Sequence, residues 1–187
     1  MAVTVYYDYT CPYSYRAARW LRQVPDVEVQ WAPFSLKEAN RPEGAASVFD
    51  EGSASNVPVL AQALAEAAKE ADFTAYHDVV YDAMHSGGSR LDAGDLRAAA
   101  QAAGVDLEEF DRDAARWLGA VARSHAHARD EHGIFGTPTI LFDDSASVFL
   151  KLTEVPSMSD SARLWESLEV LAVCHPELVE IKRTGGA

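Results

Sequence analysis

The first apolar run, Val3-Thr4-Val5-Tyr6-Tyr7, is β-branched and aromatic and lacks clean alternation with polar residues. That is the pattern of a central strand covered on both faces. The period then changes. Tyr13, Ala17, Trp20, Leu21 and Val24 recur at helical spacing from Pro12 onward, and Pro25 ends the helix because the residue before a proline avoids the α region. Val27, Val29 and Trp31 read as a second strand within the run Val27 to Phe34. Strand, helix and strand within roughly 35 residues predict a right-handed βαβ unit with parallel strands.

Residues 35–56 carry Pro42, Gly44, Gly52 and several Ser and Asn, so a long connection is predicted there. From Val57 to His132 the pattern is helical throughout, with helices predicted over 57–70, 72–85, 92–103, 106–116 and 117–132. Gly87-Gly88 separates the second from the third, Asp92 is an N-cap, and Gly104 ends the third as a C′ glycine before Asp106 caps the fourth. Gly133 closes this all-helical block. Ile134 to Pro138 then lead into a strongly apolar strand, Thr139-Ile140-Leu141-Phe142. A turn over Asp143 to Ser147 connects it to an antiparallel partner from Val148 to Leu152. A last helix, from about Ser159 to Val173, presents Leu164, Trp165, Leu168, Leu171 and Ala172 as its packing face; Pro176 marks its end, and the tail through Arg183-Thr184-Gly185-Gly186 is predicted to fray.

The pattern thus predicts an α/β fold in two parts. Residues 1–50 and 133–187 supply one sheet, and residues 51–132 form an inserted helical subdomain. A chain of 187 residues, 48% of them hydrophobic, is long enough to bury such a core. Its net charge of −13 repels phosphate backbones and anionic membrane surfaces, and the sixteen basic residues are scattered, so neither nucleic acid nor membrane is an expected partner. No stretch reaches a membrane-spanning length. The N-terminus enters a strand at Val3 without the charged and apolar regions of a signal peptide, so a cytoplasmic location is expected. Abundant alanine and a preference for arginine are compositional marks of a GC-rich bacterial genome.

With only two cysteines, Cys11 and Cys174, a disulfide scaffold is not the source of stability. Cys174, among Leu171 and Val173, reads as a packed small hydrophobe. Cys11 is different. In Asp8-Tyr9-Thr10-Cys11-Pro12-Tyr13-Ser14 it stands where the first strand gives way to the first helix. Free backbone N–H groups and the positive end of the helix dipole favour thiolate over thiol there, and the thiolate is the reactive form. The spacing is that of a Cys-x-x-Cys motif with Ser14 in the second position. Ser14 is able to donate a hydrogen bond to the thiolate. Asp8 opposes the charge if it points the same way, and Arg16 is placed to offset it. Tyr13, between Cys11 and Ser14, is expected to line the cleft, while Tyr6, Tyr7, Tyr9, Tyr15 and Trp20 read as core. A metal site is not expected: His125 and His127 project from different sides of one helix, no His-x-x-x-His spacing brings in His132, and no cysteine is near.

The stretch Asp8 to Ser14 and the segment Gly133-Ile134-Phe135-Gly136-Thr137-Pro138-Thr139-Ile140-Leu141-Phe142, with a helical insert between them, resemble the DsbA-like branch of the thioredoxin superfamily over nearly the whole chain. Within that branch the chain is most similar to cytoplasmic FrnE-like oxidoreductases, and more distantly to kappa-class glutathione transferases and 2-hydroxychromene-2-carboxylate isomerases. The resemblance implies a thioredoxin-like core and thiol-disulfide oxidoreductase activity with Cys11 as nucleophile. It also implies a cis Pro138 facing the cysteine, with the main chain of Thr137 free to pair with an extended substrate. Cys11 and Ser14 are then the catalytic pair, and Pro12, Tyr13, Thr137 and Pro138 the substrate surface.

Ser14 departs from the family's second cysteine and cannot attack a mixed disulfide. Release then requires an external small thiol, glutathione or an equivalent, as co-substrate, with no tightly bound cofactor. The partners expected are that thiol and a disulfide-containing peptide or protein, and either a monomer or a homodimer is compatible with the sequence. Two other readings stay open. One is a small-thiol-dependent transferase or isomerase of the kappa type, which has Ser-Pro-Tyr where this chain has Cys-Pro-Tyr. The other is a non-catalytic peptide-binding module on the same fold.

Overall fold

The computed structural model describes residues 2–50, 56–86, 91–143 and 145–183. The break expected at Gly87-Gly88, Gly52 in the long connection, Asp144 in the turn and the tail from Thr184 lie outside the described residues. Strand β1 (Ala2–Tyr7) is central. It pairs in parallel with β2 (Glu28–Pro33) and antiparallel with β3 (Thr139–Phe142), which pairs antiparallel with β4 (Ala146–Phe149). The order is β2-β1-β3-β4. Helix α1 (Pro12–Leu21) joins the two parallel strands, and α8 (Met158–Cys174) follows the hairpin. This is the thioredoxin-like core the sequence predicts.

Burial on both faces explains the continuous apolar run of β1. Val3 and Val5 pack with Ile140, Phe142, Trp20, Leu21, Val24 and Trp165, so α1 and α8 cover one face. Tyr6 and Leu141 point the other way, against Ala128, Ile134 and Phe34. That face is covered by α7 (Ala114–His132). Trp20 is fully buried and its indole N–H donates to the Ser161 carbonyl at 3.3 Å, which ties α1 to α8.

Between β2 and β3 lie α2 (Leu36–Ala39), α3 (Val57–Ala68), α4 (Phe73–His85), α5 (Ala93–Ala102), α6 (Leu107–Arg112) and α7. The starts of α4, α5 and α6 are set by aspartates. Asp72, Asp92 and Asp106 each accept from backbone N–H groups of the first turn, and Asp92 with Asp95 completes a capping box. Gly104 and Gly133, at φ +86° and +62°, supply the left-handed conformations that stop α5 and α7. The hydrophobic cluster of these helices runs without a break into Tyr7 and Tyr9 at the end of β1 and into Ala18 of α1. Ion pairs Arg19–Asp82 and Arg22–Asp78 clamp α4 onto α1. The helical stretch is therefore built against the end of β1 and the helix that carries Cys11.

Several boundaries differ from the sequence expectation. The break expected between residues 116 and 117 falls at Asp113, which leaves helical geometry at φ −123°, ψ 35° and ends α6 while starting α7. Helix α1 stops at Leu21, and the tighter bonds Gln23 N–H to Trp20 and Val24 N–H to Leu21 still turn Val24 into the core. The long connection contains α2, capped by Ser35 Oγ on the Glu38 N–H. Strand β4 begins at Ala146, because Ser145 N–H closes the turn on the Phe142 carbonyl. On α8 only Trp165, Leu168 and Ala172 form the packing stripe, and Leu164 and Leu171 are exposed. Cys174 is exposed rather than packed, since two residues past Ala172 the helix has turned it away from that stripe.

His125 on α7 is buried against the rings of Phe34 and Phe49, at 4.4 and 5.7 Å, and neither ring nitrogen has a partner. Burial holds its pKa below the usual imidazole range, opposed in part by the Glu38 charge. The unfolded chain therefore takes up the proton first as pH falls, so stability contributed by neutral His125 is present above the unfolded pKa and lost below it. His77, buried and lowered in the same way, adds a slope of the same sign. In urea unfolding between pH 7 and pH 5, His125→Leu is expected to lose stability less steeply than the parent, by up to about 1.4 kcal/mol per pH unit. Parallel slopes would remove His125 as a source of acid sensitivity.

Candidate active site

Cys11 is the N-cap residue of α1, extended at φ −86°, ψ 115° and only 5% exposed. Its N–H bonds to the Asp8 carbonyl at 3.1 Å and its own carbonyl receives the Tyr15 N–H at 3.1 Å, which fixes the turn from β1 into the helix. Pro12 follows in the first helical position, where a missing N–H costs nothing. No acidic side chain stands in the first turn to compete for the positive end of the helix.

The second half of the site comes from the start of β3. The Thr137–Pro138 peptide bond is cis. The Cys11 thiol donates to the Thr137 carbonyl at 3.2 Å, across 126 positions of sequence. The segment is held from behind. Gly136 lies under the Phe149 ring, where an added Cβ would stand 3.1 Å from a ring carbon. Thr139 Oγ1 donates to the Gly136 carbonyl at 2.8 Å, and Leu150 N–H donates to the Pro138 carbonyl at 3.0 Å. Cys11, Thr137 and Pro138 are thus brought together as the sequence expects. The Thr137 carbonyl, however, is taken by the thiol proton instead of being free for a substrate.

Ser14 is fully buried and its hydroxyl makes no hydrogen bond, so the expected bond to Cys11 is not formed while the sulfur carries its proton. It faces Tyr81 of α4 instead. Burial raises the Tyr81 pKa well above the usual phenol range, the neighbouring acidic groups Tyr7, Asp8 and Cys11 push it the same way, and the Ser14 hydroxyl opposes it. The Asp8 carboxylate accepts from Thr10 N–H at 2.8 Å, Thr10 Oγ1 at 2.6 Å and Leu36 N–H at 2.8 Å. Burial raises its pKa, and these donors pull part of the way back. The basic group whose charge acts on Asp8 is His85, not Arg16 as expected. Arg16 reaches the other way and donates to the Leu152 carbonyl at 3.1 Å.

Tyr13 is half-buried, and both the Arg16 guanidinium and the Lys151 ammonium stand over its ring at 5.6 Å. Lys151 also lies 5.3 Å from the Phe149 ring, which Phe135, 71% exposed, meets at 5.0 Å. Tyr81, His85 and Lys151 escaped the sequence reading. Each reaches the site through packing of distant segments, and no motif spacing marks them. His127 and His132 come within 3.3 Å of each other, yet among the described residues no group of three or more metal-binding side chains forms around them or elsewhere. No helix among the described residues is long and apolar enough to cross a membrane.

Comparison with known proteins gives a consistent picture of the fold. The crystal structure of a probable DsbA oxidoreductase from Streptomyces coelicolor is similar to this chain with a TM-score of 0.63 at 18% identity, covering 98% of this chain and 94% of that one. The cytosolic disulfide reductase DsbM from Pseudomonas aeruginosa gives a TM-score of 0.60 at 18% identity, over 92% and 100%. A thioredoxin-like oxidoreductase from Silicibacter pomeroyi gives 0.57 at 21% identity, over 89% and 86%. No curated protein sequence shows a significant match. Residues 2–161 match the DSBA-like thioredoxin domain, which takes in both halves of the site. The chain belongs to the DSBA-like thioredoxin domain family.

Proposed function

We propose that this protein is a thiol-disulfide oxidoreductase that works with a single nucleophilic cysteine, Cys11, in the cytoplasm. The observation that carries the reading is the Cys11 thiol at the N-terminus of α1, donating to the Thr137 carbonyl of the cis peptide bond. Loss of the thiol proton removes that bond, so activation of the sulfur and release of a main-chain acceptor for substrate are one event. Pro12, Tyr13, Thr137 and Pro138 form the substrate surface.

The cycle balances with two thiols. The Cys11 thiolate attacks one sulfur of a disulfide; a Cys11–substrate S–S bond forms, the original S–S bond breaks and the other sulfur leaves as a thiolate. A small thiolate, glutathione or an equivalent, then attacks the mixed disulfide at the substrate sulfur. A new external disulfide forms and Cys11 returns as thiolate. Ser14 takes no part in either transfer, because a hydroxyl forms no disulfide. In a reducing compartment this chemistry runs towards removal of mixed disulfides.

The test is intact mass after exposure to oxidised glutathione. One adduct on Cys11, reversed by excess reduced thiol, is the expected result. Absence of an adduct while the folded protein stays intact, or an adduct on the exposed Cys174 alone, would overturn the reading.

A further inference from the structure

Two cations at the site stand without a carboxylate. The chain has 29 acidic residues against 16 lysines and arginines, and Arg19, Arg22, Arg41, Arg97, Arg116, Arg129 and Arg163 all make ion pairs. Among the described residues, Arg16 and Lys151 make none. They come from different elements, α1 and the segment after β4, and converge on Tyr13, two residues beyond Cys11. Their placement is built. Arg16 is fixed by its bond to the Leu152 carbonyl. Lys151 follows Leu150, whose N–H is bonded to the Pro138 carbonyl, one residue from the carbonyl that receives the Cys11 thiol.

We propose that Arg16 and Lys151 form an anion subsite that receives a carboxylate of the low-molecular-weight thiol exchanging with Cys11. The inference rests on the single-cysteine reading above and names the class of its co-substrate. Arg16 is half-buried and Lys151 exposed, both against the Tyr13 ring, and an incoming carboxylate supplies the counter-charge that no acidic side chain among the described residues gives them. A compact thiol with a carboxylate a few bonds from its sulfur reaches both the subsite and Cys11; a neutral or cationic thiol gains nothing from the subsite. In a chain of net charge −13 this local reversal of sign also lets an anionic thiol approach a surface that otherwise repels it.

The experiment measures the rate of mixed-disulfide formation on Cys11 by intact mass with three matched probes: dithiodipropionate, a dianion; hydroxyethyl disulfide, neutral; and cystamine, a dication. The readout is the anionic-to-neutral rate ratio. Lys151 is exposed, so its substitution leaves the fold intact. Lys151→Gln is expected to lower the ratio about fivefold, the scale of one exposed ion pair. Lys151→Glu is expected to lower it on the order of twentyfold and to raise the rate with cystamine. Raising salt should bring the parent's ratio towards that of Lys151→Gln. A ratio unchanged in both variants, with all three probes still reacting, overturns the subsite and leaves the single-cysteine reading standing. If none of the probes reacts with Cys11 in the parent, that reading fails and the subsite falls with it.

Discussion

Cys11→Ser is expected to reduce thiol-disulfide exchange to the uncatalysed background while leaving the fold and its stability within about 1 kcal/mol of the parent. Both halves follow from the geometry. Oxygen forms no disulfide, and a serine hydroxyl is a far weaker acid than a thiol, so it supplies no anionic nucleophile. The packing role of the side chain survives, because a serine hydroxyl occupies nearly the same space and is able to donate to the Thr137 carbonyl as the thiol does. Reductase assays on the variant, read beside its thermal midpoint, separate chemistry from folding. The same variant discriminates between readings. It converts Cys-Pro-Tyr into the Ser-Pro-Tyr of the kappa-type transferases, so thiol-dependent transferase activity that persists in Cys11→Ser would favour the transferase and sink the oxidoreductase. A non-catalytic peptide module would show parent-level peptide binding in the variant and no exchange in either protein.

The parts of this site that were legible in sequence are those where a local rule and a long-range requirement agree. The run from Val3 to Tyr7 has to be a covered strand, and Cys11-Pro12 has to start a helix, because proline in the first helical position and the return of the 3.6 period leave little else. Gly136-Thr137-Pro138 before the apolar Thr139 to Phe142 marks the strand that comes back beside β1, and the two halves meet in one hydrogen bond. The caps at Asp92 and Asp106 were legible for the same reason. What stayed hidden depends on tertiary packing alone. Cys174 sits among apolar neighbours in sequence but off the stripe that α8 buries. Tyr81 is one of several aromatics in a helical pattern, and only the clamping of α4 onto α1 brings its hydroxyl towards Ser14. Lys151 was read as part of the hairpin strand; the earlier start of β4 puts it past the strand, where it is free to lean over Tyr13.

Ser14→Cys is the complementary experiment, and its expected effect is a gain. The Ser14 side chain is fully buried, lies one helical turn from Cys11 and has no partner within hydrogen-bond distance, so a thiol there gives up no formed bond. Residues spaced as Cys-x-x-Cys across a helix N-terminus hold their Cα atoms within the range a disulfide spans. A second sulfur in this position attacks the mixed disulfide from within the same turn. Well-oriented intramolecular reactions reach effective concentrations far above any cellular thiol, on the order of 10⁵ M and more. The variant is therefore expected to release a bound disulfide partner without added thiol and to lose two hydrogens in mass as the 11–14 disulfide closes. Turnover at limiting small thiol should rise at least tenfold, roughly 1.4 kcal/mol of barrier. Burial sets the one obstacle: the new sulfur is fully buried near Tyr81, and its attack needs an open path to the mixed disulfide. If the variant instead keeps a stable mixed disulfide that only external thiol removes, the buried position of residue 14 is closed to resolution. The chain would then be built for single-cysteine exchange by its packing as well as by its serine.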